Sequence, residues 1–175
     1  MKKNTLALIV ILSIFISPLF SQEFIELKAG EDVEINGLLV SFTVVKKGNK
    51  KGADLYKLTA SVTNHGADYL KVFNQARETY IKSAEDAIAY FQFTNATGKA
   101  MSSTSAKFYP KPLYVKVPYK CKKCPPPTNK DEDPYNHYTK SVVVGSKFVS
   151  GSSLSKTLNI RVPEGEVPTV RVMAY

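Results

Sequence analysis

Two cysteines stand three positions apart in Cys121-Lys122-Lys123-Cys124, and three prolines follow them. Residues of this type and spacing suit three chemistries. A disulfide between Cys121 and Cys124 would pin a proline-rich loop, although so short a ring stabilises little. A zinc site would use both thiolates and His137, since twelve residues separate Cys124 from His137. It would then need a fourth ligand, for which only Asp131, Asp133 or distant His65 offer themselves. Thiol redox chemistry would draw on Lys122 and Lys123 to lower a thiol pKa, but no strand-to-helix pattern supplies the usual helix N-terminus. The disulfide is the expected state of an exported chain, and a thiol-redox or zinc-binding envelope factor acting through Cys121 and Cys124 is the alternative.

Other catalytic patterns are missing. The serines carry no Gly-x-Ser-x-Gly elbow. His65, between Asn64 and Gly66, reads as a turn residue. Asp131-Glu132-Asp133 with Asn136 offers oxygen ligands but lacks the glycine and closing glutamate of a calcium loop. No enzyme and no cofactor are expected.

A second cluster is basic and aromatic. Between Lys107 and Lys123 there are six lysines and no acid, with Phe108, Tyr109, Tyr114 and Tyr119 interleaved. Aromatic faces beside amines suit sugar rings, acidic polysaccharide or a protein partner. The expected binding residues are Lys107, Tyr109, Tyr114, Lys116, Tyr119, Lys120, Lys122 and Lys123, joined by Tyr135, His137 and Tyr138 across the cysteine loop. The competing explanation is an edge strand whose lysines block sheet-to-sheet aggregation. Along Leu113–Lys120, alternation places Leu113, Val115 and Val117 on one face and Tyr114 and Lys116 on the other. The net charge is +9, yet of 24 basic residues only Arg77, Arg161 and Arg171 are arginine. That balance argues against nucleic acid, whose readout favours the guanidinium fork.

The elements that must position these residues read as strands. Tyr56, Leu58, Ala60 and Val62 alternate with Lys57, Thr59, Ser61 and Thr63, the period of a half-buried antiparallel strand. Ala89, Phe91 and Phe93 share a face. Ile160 and Val162 alternate with Arg161, and Val170 and Val172 with Arg171. Asn36-Gly37 can turn or bulge the run from Glu34 to Val45. Pro110, Pro112 and Pro118 confine their stretch to a sheet edge. Gln75 to Asp86 is expected as a short helix or irregular crossover, from the spacing of Ile81, Ala84 and Ile88. About eight or nine short strands with regular turn signals predict an all-β, antiparallel sandwich with at most one short helix.

The strand ending Ala60-Ser61-Val62-Thr63-Asn64 resembles those of small exported bacterial immunoglobulin-like domains, as does its pairing with Leu38–Val45. The resemblance implies a β-sandwich used for binding or assembly, and it brings no catalytic residues. It departs from antibody domains in having no tryptophan and no inter-sheet cysteine pair.

The N-terminus sets the compartment. Lys2 and Lys3 precede an apolar run from Leu6 to Phe20, the pattern of a secretory signal, with cleavage expected after Ser21. The run is short for a membrane span, and no later run is long enough. Residues 1–21 are therefore expected to be removed, leaving one domain over residues 22–175, periplasmic or extracellular, without a transmembrane segment. The expected function is a non-enzymatic binding or assembly module of the cell envelope, with an envelope protein or anionic glycan as partner.

Overall fold

A computed structural model describes residues 23–121, 125 and 138–175. The proposed signal segment, Lys122, Lys123, Cys124, Tyr135 and His137 lie outside the described residues. Within them the chain is nearly all β, in eleven strands. They are β1 (Ile25–Leu27), β2 (Asp32–Ile35), β3 (Leu38–Asn49), β4 (Ala53–Asn64), β5 (Tyr69–Arg77), β6 (Ala89–Thr94), β7 (Ala100–Phe108), β8 (Lys111–Pro118), β9 (Thr139–Phe148), β10 (Ser153–Pro163) and β11 (Thr169–Ala174). One 3-10 turn, Ala84–Asp86, is the only helical element among them.

The strands form three antiparallel sheets, ordered β1-β11-β6-β7, β10-β4-β3-β2 and β5-β9-β8. The predicted alternation decides which faces close. Tyr56, Leu58, Ala60 and Val62 are all buried, while Lys57 is exposed and Thr59, Ser61 and Thr63 are half-buried. In the register Val40 opposes Val62, and Val172 opposes Phe91. The apolar faces of both four-stranded sheets enter one core that includes Phe42, Leu58, Phe91, Phe93, Phe108, Ile160 and Val170. Each such fully buried side chain contributes about 1.5–3 kcal/mol from removal of apolar surface from water.

Local chemistry sets the turns. Asn36 and Gly37 both take positive φ, 52° and 76°, and join β2 to β3 as a tight hairpin. Asn36 Nδ2 also donates to the carbonyl of Ala174 at 3.1 Å, tying that hairpin to β11. Asn64, the last residue of the strand that carries the immunoglobulin-like resemblance, is a buried junction. Its amide donates to the carbonyls of Ala67 at 2.9 Å and Phe148 at 2.7 Å. Its Oδ1 accepts from the Gly66 N–H at 3.0 Å. An interior amide is stable only when satisfied in this way.

Several expectations change. Eleven strands replace eight or nine, because β2 separates from β3 and because β7 lies in Ala100–Phe108, a stretch with little β-branched or aromatic signal. Its pairing with β6 supplies what its propensity does not. The segment from Gln75 to Asp86 begins as the end of β5 and contains only the three-residue turn. That turn is anchored by Asp86, whose carboxylate accepts from Ser83 Oγ at 2.8 Å and pairs with Lys71 at 2.5 Å. The alternation expected along β8 also fails midway. Register slips between Leu113 and Tyr114, so Leu113 and Val117 are half-buried while Val115 is exposed.

Candidate functional site

β8 sits at a sheet edge, as its prolines require. It does not stand alone. β7 is the edge of the first sheet and β10 the edge of the second. The three edges converge on a cleft of about 400 Å³. Its floor is Phe108 and Pro110, both buried, and Phe108 packs on Phe91 with ring centroids 5.3 Å apart. Tyr109, Lys111, Pro112 and Tyr114 form one wall, and Leu154, Ser155 and Lys156 of β10 the other. Tyr80 and Lys82, from the connection after β5, complete the lining. The Tyr80 hydroxyl donates to the Pro110 carbonyl at 3.4 Å and so fixes the connection to the floor.

Charge in the cleft is of one sign. Lys82 Nζ lies 5.6 Å from the centre of the Tyr109 ring, and Lys156 Nζ lies 5.9 Å from the same ring and 5.4 Å from Phe108. Lys156 also donates to the Lys107 carbonyl, bridging β10 and β7. Among the described residues no carboxylate pairs with Lys82, Lys111 or Lys156. Lys156 is exposed overall, but its ammonium lies over the Phe108 and Tyr109 rings. Desolvation there, followed by repulsion from Lys82, lowers its pKa below the ordinary lysine value. Burial, reinforced by the negative charge of Asp86, raises that of Tyr80.

The chain matches no family model, no curated protein and no solved structure.

Of the residues expected to bind, Tyr109 and Tyr114 line the cleft. Lys107 borders it through its carbonyl, while its amine lies 5.5 Å from the Tyr90 ring. Lys116, Tyr119, Lys120 and Tyr138 do not line it. Tyr119 and Tyr138 instead stand at the base of the cysteine loop, where the Tyr119 N–H donates to the Tyr138 carbonyl at 3.0 Å. The Tyr138 hydroxyl donates to the Pro125 carbonyl. Lys140 approaches the Tyr119 ring at 5.8 Å and pairs with Glu78 at 2.6 Å, so this end of the patch has a counter-ion. The expected surface therefore divides into an uncompensated cleft and a compensated loop base.

The sequence reading missed Tyr80, Lys82, Leu154, Ser155 and Lys156. Tyr80 and Lys82 fall in a segment without clear periodicity. Lys156 falls on the same side of β10 as Leu154, Leu158 and Ile160, opposite buried Ala60, where it breaks the apolar alternation near the end of the strand. Only the meeting of three sheet edges makes them neighbours. His65 is exposed in a turn, and its backbone N–H donates to the Gly37 carbonyl at 2.8 Å. The buried carboxylates serve the scaffold. Asp54 pairs with Lys46 at 2.7 Å and accepts from the Gly165 N–H at 3.0 Å and from Asn49 at 3.2 Å. The Lys46 hydrogen bond, then that of Gly165, holds its pKa below the usual carboxylate range.

Proposed function

We propose that residues 22–175 form an exported immunoglobulin-like β-sandwich that works as a non-enzymatic binding or assembly module of the cell envelope. Its partner is an envelope protein or an anionic glycan. The observation that carries this reading is the cleft itself, where three lysines without counter-ions among the described residues and several aromatic faces meet on a floor set by paired strands. Rigid elements beneath a site keep its groups in place when the ligand arrives. The lining consists of amines, phenols, prolines, one leucine, one serine and one phenylalanine. These groups attract and stack, and none is placed as a base beside a nucleophile.

The same reading places the protein in the periplasm or outside the cell, where a Cys121–Cys124 disulfide orders the adjoining loop. Thiol titration checks that state: two cysteines should become reactive only after reduction. Reactive thiols in the untreated protein would favour the redox or zinc alternative. Among the described residues no helix is long and apolar enough to cross a membrane.

The binding reading is tested by retaining envelope fractions on immobilised protein over a salt gradient. Retention should weaken as salt screens the amines, and it should be lost when Lys82, Lys111 and Lys156 are all changed to Gln. Equal retention by parent and triple variant would sink the cleft as the recognition site.

A further inference from the structure

We infer that the cleft receives one acid-bearing sugar unit of an anionic polysaccharide, its acid group between the ammoniums of Lys82 and Lys156 and its ring on Tyr114. The inference rests on the binding reading above and names the ligand class for that site. Two ammoniums approach the same Tyr109 ring, at 5.6 and 5.9 Å, and neither has an acid partner among the described residues. Like charges brought together in this way repel, and an anion between them reverses the sign of the interaction. After desolvation, repulsion from Lys82 is the second cause that lowers the Lys156 pKa, in keeping with the shared ring.

The ring surface comes from a different residue. Tyr109 already carries the two amines, whereas Tyr114 is 54% exposed and has no aromatic or cation contact among the described residues. An exposed aromatic plate in a cleft presents a face to the C–H side of a sugar ring. The cleft contains no arginine. Lysine binds as a point charge without the planar fork of guanidinium, so carboxylate, sulfate and phosphate substituents all suit it. A volume of about 400 Å³ is at the small end of ligand pockets, which run from about 300 to 1,000 Å³. The site therefore takes a short stretch of polymer.

The test measures binding of the purified protein to polygalacturonate, dextran sulfate, neutral dextran and polyglutamate at fixed ionic strength. Both acidic polysaccharides should bind, with their ratio reporting which acid is preferred, while neutral dextran should not. Polyglutamate should bind more weakly, because it has charge without sugar rings. The K82Q/K156Q double variant should lose about tenfold in affinity for the acidic polysaccharides. Tyr114→Ser should reduce polysaccharide binding and leave polyglutamate unchanged. Urea midpoints equal to the parent's exclude unfolding as the cause. The inference is overturned if K82Q/K156Q binds as the parent does, or if K116Q/K120Q is the variant that loses affinity; either result leaves a binding module whose site lies elsewhere. If no polymer binds but an envelope protein is retained, the sugar assignment falls and the module survives. If nothing is retained in either experiment, both fall.

Discussion

β5 and β8 flank the same central strand, β9, yet they manage their open edges by different means. β8 is guarded by composition. Pro112 and Pro118 remove backbone donors, and Lys111 and Lys116 place charge along it. β5 has no proline, and Leu70 and Val72 are 60% and 67% exposed. It is guarded by shape. Between the pairs Val72–Gly145 and Arg77–Val143, four residues of β5 stand against one of β9. An irregularity of that size bends the strand away from a flat edge. β8 pairs with β9 along its whole length, with a single slip beside Tyr114, and carries Tyr114 into the cleft. The two edges of one small sheet thus differ: one lines the cleft, and the other is bent away from a flat edge.

Gly145 joins the two designs, because a Cβ there would stand 2.2 Å from the Lys71 carbonyl oxygen of β5. Gly145→Ala should therefore be the most damaging change, costing about 3 kcal/mol as β5 is pushed off β9. Urea unfolding measures it. A loss below about 0.5 kcal/mol would mean that β5 is not held as tightly as its spacing implies.

Lys71→Ala should come next. It leaves the carboxylate of Asp86 with Ser83 alone, but Lys71 is 40% exposed and water screens much of the pair, so about 1 kcal/mol is expected. The hydrogen bond from Lys71 is the largest cause of the lowered Asp86 pKa. A carboxylate with a lowered native pKa stabilises the fold above its unfolded pKa, and that stability fades as pH falls through the native value. The raised pKa of Lys71 gives the opposite limb: its contribution is present below the unfolded lysine value and is lost as pH rises through the native one. Removing Lys71 should flatten the acid limb of stability against pH. An unchanged acid limb would disprove the coupling.

Val72→Lys gives β5 the chemical protection of β8. It should alter stability by no more than about 0.5 kcal/mol, and it should reduce self-association at high protein concentration, as light scattering would show. Increased scattering would mean that the exposed valine is not a liability. The smallest effect is expected from Lys116→Gln, which lies outside the cleft. It should leave stability and polysaccharide affinity at the parental values, within about 0.5 kcal/mol of stability.

The strands were legible where burial alternates residue by residue. Tyr56 to Thr63 reveals both its state and its inward face, and Phe91 and Val172 their place in the core. Pro112 identified the edge through its missing N–H. The cleft was half legible, since Tyr109 and Tyr114 stood out among lysines. Lys156 did not, because a lysine on the apolar side of β10, opposite Ala60, reads as the frayed end of that alternation unless the cleft beside it is known. The register slip beside Tyr114 was hidden for a related reason, as it depends on the spacing of β9 and not on any residue of β8 alone.

β11, the last of the eleven strands to be made, lies between β1 and β6 and is hydrogen-bonded to both. One sheet is therefore missing an interior member until residue 174 is free to move. This topology delays closure of the sheet. It also makes folding depend on contacts between distant parts of the sequence, which slows it.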